Sequence, residues 1–536
     1  MRNSKFKIIT LCIYALLCAV VSMAQGRSLV WVADQGDGTY RNPILHADYS
    51  DPDVIRVGDD YWMTSSSFDC LPALQILHST DLGNWEIVGA VESYRPEGVQ
   101  EQHGNGVWAP SIRHHNDTYY IYWGDPDVGI FMVESKDPRG PWSDPHLVEA
   151  GVGMIDPCPL WDDDGKAYLV HSWAGSRAGF KSVLSASEMS PDGKRLIGPE
   201  VLIHDGHAEN PTIEGPKFYK RDGWYYIFAP AGGVKEGWQL VMRSREPLGK
   251  YEWRKVLHQG NTEIHGPHQG GWVTDTAGDS WFLHFEDRYA YGRVVHLQPM
   301  SWTSDGWCTM GVDSNGDGIG EPVESYRKPH TSKPMAITTP TEGDEFNTST
   351  LGLQWQWFGN PARDWAMHSP EGYLRLYCQP YDNLWEAKNI LSQKLTAPAE
   401  AFTAKVDFRA GTAGDRAGIV IHGRDLATLS FVALDNGTIV LRQTECYKAE
   451  KGAQEVVNEE IIWNQAKQPL LRVVISEGGM CQFFWAEHGR SFQPIGKPFK
   501  AKEGKWIGAK FGLFAVTSGK TNDGGWMDID WVRVTK

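Results

Sequence analysis

Three carboxylates, Asp51, Asp156 and Glu214, stand at the head of a recurring pattern and are the residues best suited to chemistry. Asp51 and Asp156 each precede a proline, and Glu214 opens Glu214-Gly215-Pro216. After Asp51-Pro52 come an apolar run over 54–57, the turn Gly58-Asp59-Asp60 and the aromatic run Tyr61-Trp62-Met63. The order repeats from Ala109-Pro110 through Asn116-Asp117 to Tyr119-Tyr120-Ile121, and from Asp156-Pro157 through Asp163-Asp164-Gly165 to Tyr168-Leu169-Val170. It repeats again from Glu214 through Asp222-Gly223 to Tyr225-Tyr226-Ile227. A weaker fifth copy runs from Gly266-Pro267-His268 through Gly278-Asp279 to Trp281-Phe282-Leu283. Carboxyl groups on separate supports, one ionised and one protonated, are what acid–base cleavage of a glycosidic bond requires. An Asp before Pro also serves as a plain turn residue. Ala109 counts against that explanation, because one copy manages without the polar group.

The elements that must position these groups follow from the period. Copies begin about 50 to 60 residues apart, the range of β-propeller blades. Each supplies an apolar strand, a Gly/Asp hairpin turn and an aromatic strand, and outer strands follow, as at 75–78 and 85–88. The expected fold is all-β, a five-bladed propeller over 40–325 whose first strands line one channel and bring the repeat heads together. Residues 326–343, with Lys328-Pro329 and Lys333-Pro334, read as a linker. Over 344–536 the chain alternates in longer strands, for example 402–408, 417–421, 470–475 and 526–534, with the hairpin turn Asp435-Asn436-Gly437. That pattern predicts a jelly-roll, concanavalin-like β-sandwich.

Composition narrows the partners. A net charge of −16 argues against nucleic acid and suits a neutral oligo- or polysaccharide, and 24 Trp supply faces for packing on sugars as well as core. Arg2, Lys5 and Lys7 precede an apolar run over 8–21 and the small residues Ser22 and Ala24. Residues 1–24 therefore read as a signal peptide, with no membrane span expected and a periplasmic or secreted mature chain. Cys70, Cys158, Cys308, Cys378, Cys446 and Cys481 remain beyond it, at spacings that suit buried thiols better than a disulfide framework.

The segments Asn42-Pro43-Ile44, Asp51-Pro52-Asp53, 64–68, Val107-Trp108-Ala109-Pro110, Asp156-Pro157 and Glu214-Gly215-Pro216 together resemble glycoside hydrolase family 43. The resemblance is nearest to β-xylosidases and α-L-arabinofuranosidases with a C-terminal sandwich, and it covers essentially the whole mature chain. It implies an inverting exo-glycosidase acting on terminal pentosyl residues of xylan, arabinoxylan or arabinan. By resemblance Asp51 is the general base, Glu214 the general acid, and Asp156 orients that acid and raises its pKa. Asp53 is a second carboxylate two residues from the base; Asp51 keeps the role because its register matches Asp156. Phe68 and Trp108 resemble residues that contact the terminal sugar, His268 a histidine of the central channel, and Arg293 an arginine that binds sugar hydroxyls. The alternatives are a non-catalytic carbohydrate-binding protein on the same fold, or a galactan-directed relative.

This chemistry requires no cofactor. Asp313, Asn315 and Asp317, with Glu324 at the twelfth position, fit a calcium-loop pattern, although neither flank reads as a helix. Any Ca²⁺ held there is expected to be structural.

Overall fold

The computed structural model describes residues 27–92, 94, 101–464, 468–489, 491–519 and 522–536. The basic and apolar leader over 1–24 lies outside these. Among the described residues no helix is long and apolar enough to cross a membrane.

Five four-stranded antiparallel sheets form the propeller. Their innermost strands are Asp53–Val57, Trp108–His115, Met154–Trp161, Lys217–Arg221 and His268–Thr274, for blades 1 to 5 in turn. The aromatic runs form the second strands, Asp60–Thr64, Thr118–Asp125, Ala167–Trp173, Trp224–Ala231 and Ser280–Asp287. Alternation explains their composition: a blade packs against a neighbour on each side, so both faces of its middle strands must be apolar. Each of the five gaps between blades holds its own cluster. Tyr61 and Trp85 meet Trp281 across the gap that closes the ring, and Tyr226 and Phe228 meet Phe282 and Trp307 between blades 4 and 5. Ile112 and Trp123 pack on Ile76, Met132 on Leu169, and Val170 on Phe218 in the remaining three. Much of the Trp content is spent here.

The ring is fastened at its ends. Thr39–Arg41 pairs antiparallel with Ser325–Arg327, and Asn42 Nδ2 donates to the carbonyls of Leu297 and Val323. The linker is not loose: Lys328 Nζ lies 2.5 Å from Asp34 Oδ2 and 2.7 Å from Asp81 Oδ2.

The C-terminal sandwich stacks a nine-stranded sheet on a seven-stranded one around one apolar core, with Phe402 and Phe511 stacked at 4.5 Å between them. The expected hairpin is present as Leu426–Ala433 against Ile439–Cys446. At one edge the larger sheet takes in a strand of the propeller: Cys70–Leu71 pairs with Gln356–Phe358. The six cysteines of the described residues are all free and buried.

Candidate active site

At the head of the first four inner strands, the residue before proline adopts a left-handed conformation: φ is 53° at Asp51, 36° at Ala109, 57° at Asp156 and 56° at Gly215. In blade 5 the matching irregularity is at Gln269, φ 43°, where the pairing shifts between His268 and Gly270. Gln269, rather than the Gly266-Pro267 pair singled out by the repeat, thus holds the fifth equivalent position. Positive φ is strained for non-glycine residues, and at these heads it interrupts the regular strand, as a pairing shift inside blades 2 and 3 and just before the strand in blades 1 and 4. Gly215 has a second reason to be glycine, because a Cβ there would lie 2.6 Å from Gln269 Cδ.

Asp51 is 6% exposed and uses both oxygens as acceptors. Ser66 Oγ donates to Oδ2 at 2.6 Å, and Arg293 Nη1 reaches Oδ1 at 3.0 Å and Oδ2 at 3.1 Å. The same Ser66 oxygen accepts the Ala109 N–H at 2.7 Å, so the blade without a carboxylate supplies a backbone donor that aims the serine. In Asp156, 3% exposed, Oδ2 accepts from Ser172 Oγ and from Gly215 N–H, both at 2.7 Å. Burial and the nearby Asp51 raise the Asp156 carboxyl to about 6, against those two hydrogen bonds and the charge of Lys217.

Glu214 has different company. Its Oε1 is 3.4 Å from Nε2 of His268, whose own burial, with Arg293 and His284 nearby, pushes it down to about 3, so that ring is neutral. Enclosure in the pocket, then Asp156 and Asp51, push the Glu214 carboxyl up to about 8, with Arg293 and Lys181 opposing. The side chain keeps 37% of its surface open. The upward direction therefore rests on the two anions as much as on the walls.

Asp53 lies one layer below. It is fully buried, and its Oδ2 accepts from Ile112 N–H at 2.9 Å and Arg113 Nη1 at 2.6 Å. Two residues separate it from Asp51, but the left-handed turn at Asp51 and Pro52 breaks the alternation that would have put both on one side.

Phe68 and Trp108 form one wall with their rings 6.0 Å apart, Phe68 buried and Trp108 half-buried. The wall continues into the sandwich: Trp506, exposed and with φ 69°, lies edge-on at 5.8 Å from Trp108. Arg177 covers Trp108 at 5.7 Å and is anchored by Asp127 and Asn105, both at 3.0 Å. Residue patterns give no sign of Trp506 or Arg177, because Trp506 comes from a sandwich loop and Arg177 from the short helix Gly175–Ala178, both outside the repeat. Ser66 and Ser172 were recoverable, since each stands about a hairpin after its aspartate at the end of the second strand.

The loop that carries the calcium pattern closes on itself through side-chain to backbone hydrogen bonds. The Asp313 oxygens accept the N–H groups of Gly316 and Gly318, Asn315 Oδ1 that of Asp317, and Asp317 Oδ1 that of Ile319. These side chains are spent closing a turn, and among the described residues no group of three or more His, Cys, Asp or Glu could hold a metal ion. Asp313, Asp317 and Glu324 are not gathered.

A pocket with one carboxyl biased toward its proton, one held by arginine and aromatic walls suits cleavage between sugars, and comparison with known proteins bears this out: the protein is a glycoside hydrolase. Residues 40–308 match Glycosyl hydrolases family 43, and residues 343–535 match the Beta xylosidase C-terminal Concanavalin A-like domain. The chain belongs to glycoside hydrolase family 43. A relative in Xylanibacter ruminicola is 36% identical over 90% of this chain and 87% of its own. A beta-xylosidase of Formosa agariphila is 31% identical over 95% and 92%, respectively. A non-reducing end alpha-L-arabinofuranosidase of Bacteroides ovatus is 30% identical over 74% and 76%. Among solved structures, the GH43 BlXynB protein of Bacillus licheniformis superposes with a TM-score of 0.80 at 26% identity, covering 93% of this chain and 99% of that one.

Proposed function

We propose that the chain is an inverting exo-glycosidase that releases terminal β-D-xylosyl or α-L-arabinofuranosyl residues from plant cell-wall polysaccharides such as xylan, arabinoxylan or arabinan. The observation that carries this reading is the unequal setting of Asp51 and Glu214 in one pocket, an arginine-bound carboxylate beside a carboxyl raised to about 8. Asp51 takes a proton from a water whose oxygen bonds to the anomeric carbon as the glycosidic C–O bond breaks. Glu214 gives its proton to the departing oxygen. Asp156 keeps Glu214 protonated and fixes the backbone beside it through Gly215 N–H. Inversion calls for roughly 6.5–9.5 Å between base and acid, room for that one water. Phe68, Trp108, His268 and Arg293 bind the terminal sugar. Trp506 closes the wall from the sandwich side, which favours a chain end over an internal stretch. The pentose assignment is supported by the relatives' names, and the basic and apolar leader supports export to where such polymers lie.

The test is hydrolysis of paired aryl β-D-xyloside and α-L-arabinofuranoside substrates, with the product anomer followed by NMR, beside Glu214→Gln and Asp51→Asn. Release of one pentose as the inverted anomer is expected, lost in Asp51→Asn on the aryl substrates and lost in Glu214→Gln on pentosides with a poor leaving group, which need the donated proton. Activity that survives both substitutions, or a retained anomer, would sink the mechanism.

A further inference from the structure

The pocket floor carries a charge for which the acid–base roles give no use. Lys217 opens the inner strand of blade 4 immediately after Pro216, and its side chain is fully buried. Its ammonium donates to Pro110 O and to Ser111 Oγ, each at 2.8 Å, two neutral oxygens of blade 2. Burying an ammonium among neutral partners is unfavourable unless an anion nearby offsets it.

Lys217 stands at the third position of each repeat head, where the other blades carry Asp53, Ser111, Cys158 and Gly271. This ring lies directly beneath the carboxylates. Gly215 N–H, two residues before Lys217, donates to Asp156, and Phe218 N–H, one residue after, reaches Cys158 Sγ at 3.1 Å. The lysine backbone is therefore strapped along 156–158. The other charges around this floor are Asp51 and Asp53 from blade 1, Arg113 from blade 2, Glu214 from blade 4 and Arg293 from blade 5, with Asp48 and Asp287 beside Arg293. Cys158, Tyr219 and the neutral His268 are the remaining titratable groups, with Lys181 on the exposed rim beside Glu214. Two of the buried cations are already matched, Arg293 with Asp51 and Arg113 with Asp53. Among the described residues neither Lys217 nor Asp156 has such an ion-pair partner, and Lys217 lowers the pKa of the Asp156 carboxyl.

We propose that Lys217 is a positioning residue for the acid pair, its buried charge keeping Asp156 ionised beneath a protonated Glu214. This inference rests on the acid–base reading above. The Lys217 charge offsets that of Asp156, and with Asp156 ionised a second negative charge on Glu214 is disfavoured. The cation keeps the proton off Asp156, and the Asp156 anion in turn keeps it on Glu214.

The pH dependence of kcat/KM on an aryl pentoside, measured for the parent, Lys217→Met and Lys217→Arg, tests it. Removing the cation raises both carboxyl pKa values, so both limbs of the Lys217→Met bell move to higher pH. A shift of about one unit is expected, and hence roughly tenfold less activity on the acid side. Lys217→Arg keeps the parent's limbs. A Lys217→Met bell that is lowered but unmoved overturns the inference. If Lys217→Met does not fold, Lys217→Gln, which can reach Pro110 O without a charge, makes the same measurement. If neither uncharged variant folds while Lys217→Arg does, Lys217 is a structural ion and the inference falls. A parent that cleaves neither pentoside overturns the acid–base reading as well, whereas an active parent with unmoved limbs overturns this inference alone.

Discussion

Glu214 and Asp51 carry the same functional group, and their neighbours separate their tasks. Asp51 is gripped by Arg293 and Ser66, while Glu214 has a neutral imidazole beside it and two carboxylates nearby. A raised pKa favours the protonated form, so donation from Glu214 persists through neutral pH and is lost as pH climbs past about 8. Glu214→Gln is accordingly expected to lower kcat about 10²–10⁴-fold on substrates with a poor leaving group. The loss should be much smaller on aryl glycosides whose phenol leaves unaided. Asp51→Asn removes the base and should cost a similar factor on both, and a matched pair of aryl and alkyl pentosides separates the two. At this scale the sequence was informative where residues share a register: Asp51, Asp156 and Glu214 stand out because the repeat aligns them. His268 and Arg293 were legible only by family resemblance, since nothing in their local spacing marks them. The Asp313 loop reads two ways in sequence, because the alternating oxygen side chains that bind calcium also accept turn amides.

Strands and loops divide the labour of building the pocket. Alternation and hairpin turns were enough to read the blade strands, because each is local and buried on both faces. Two features escaped that logic. Cys70–Leu71 leaves its blade to extend the sandwich sheet, a pairing with Gln356–Phe358 that no local signal encodes. The other is the sandwich loop that brings Trp506 to Trp108, where Gly104 makes the close approach possible. A Cβ on Gly104 would lie 2.7 Å from Lys505 Cγ and 2.9 Å from Trp506 Cδ1, at a φ of 78°. Gly104→Ala should therefore push the loop outward. Trp506→Ala removes the ring itself, which is exposed and contributes little to the core. Both changes are expected to raise KM for a pentoside about tenfold, roughly one stacking contact, with a smaller change in kcat. Steady-state kinetics on the two variants checks this. Unchanged KM in both would mean that the sandwich wall takes no part in binding.

Across the whole molecule, the two domains share a core rather than a boundary. Phe68 and Cys70 of the propeller sit in one apolar cluster with Phe358, Trp385, Val420 and Phe514 of the sandwich. Asp48 ties three segments together by accepting from Ser50 Oγ, Arg293 N–H and Gly508 N–H. Tyr291 plugs into the sandwich core, donating to Pro398 O at 2.7 Å and accepting from Gly479 N–H at 2.9 Å. Arg293, which grips Asp51, is two residues from that plug, so domain docking and base placement are mechanically linked. Calorimetry should show one cooperative unfolding transition for the full chain, and a fragment ending at residue 335 should lose activity; two separated transitions would contradict a shared core. Glu400 gives this junction a pH dependence. It is 2% exposed and accepts from Thr396 N–H at 2.9 Å and Thr396 Oγ1 at 2.7 Å. Burial, and the neighbouring Glu342, raise it to about 8 from an ordinary 4.5. Between those values the folded chain binds more protons at this site than the unfolded one, so stability falls as pH rises from about 4.5 to 8. Glu400→Gln keeps the acceptor oxygen and cannot ionise. Its melting temperature should track the parent's near pH 4.5 and exceed it at pH 8, by a free energy on the order of 3 kcal/mol. A difference that is the same at both pH values would mean that Glu400 does not titrate with folding.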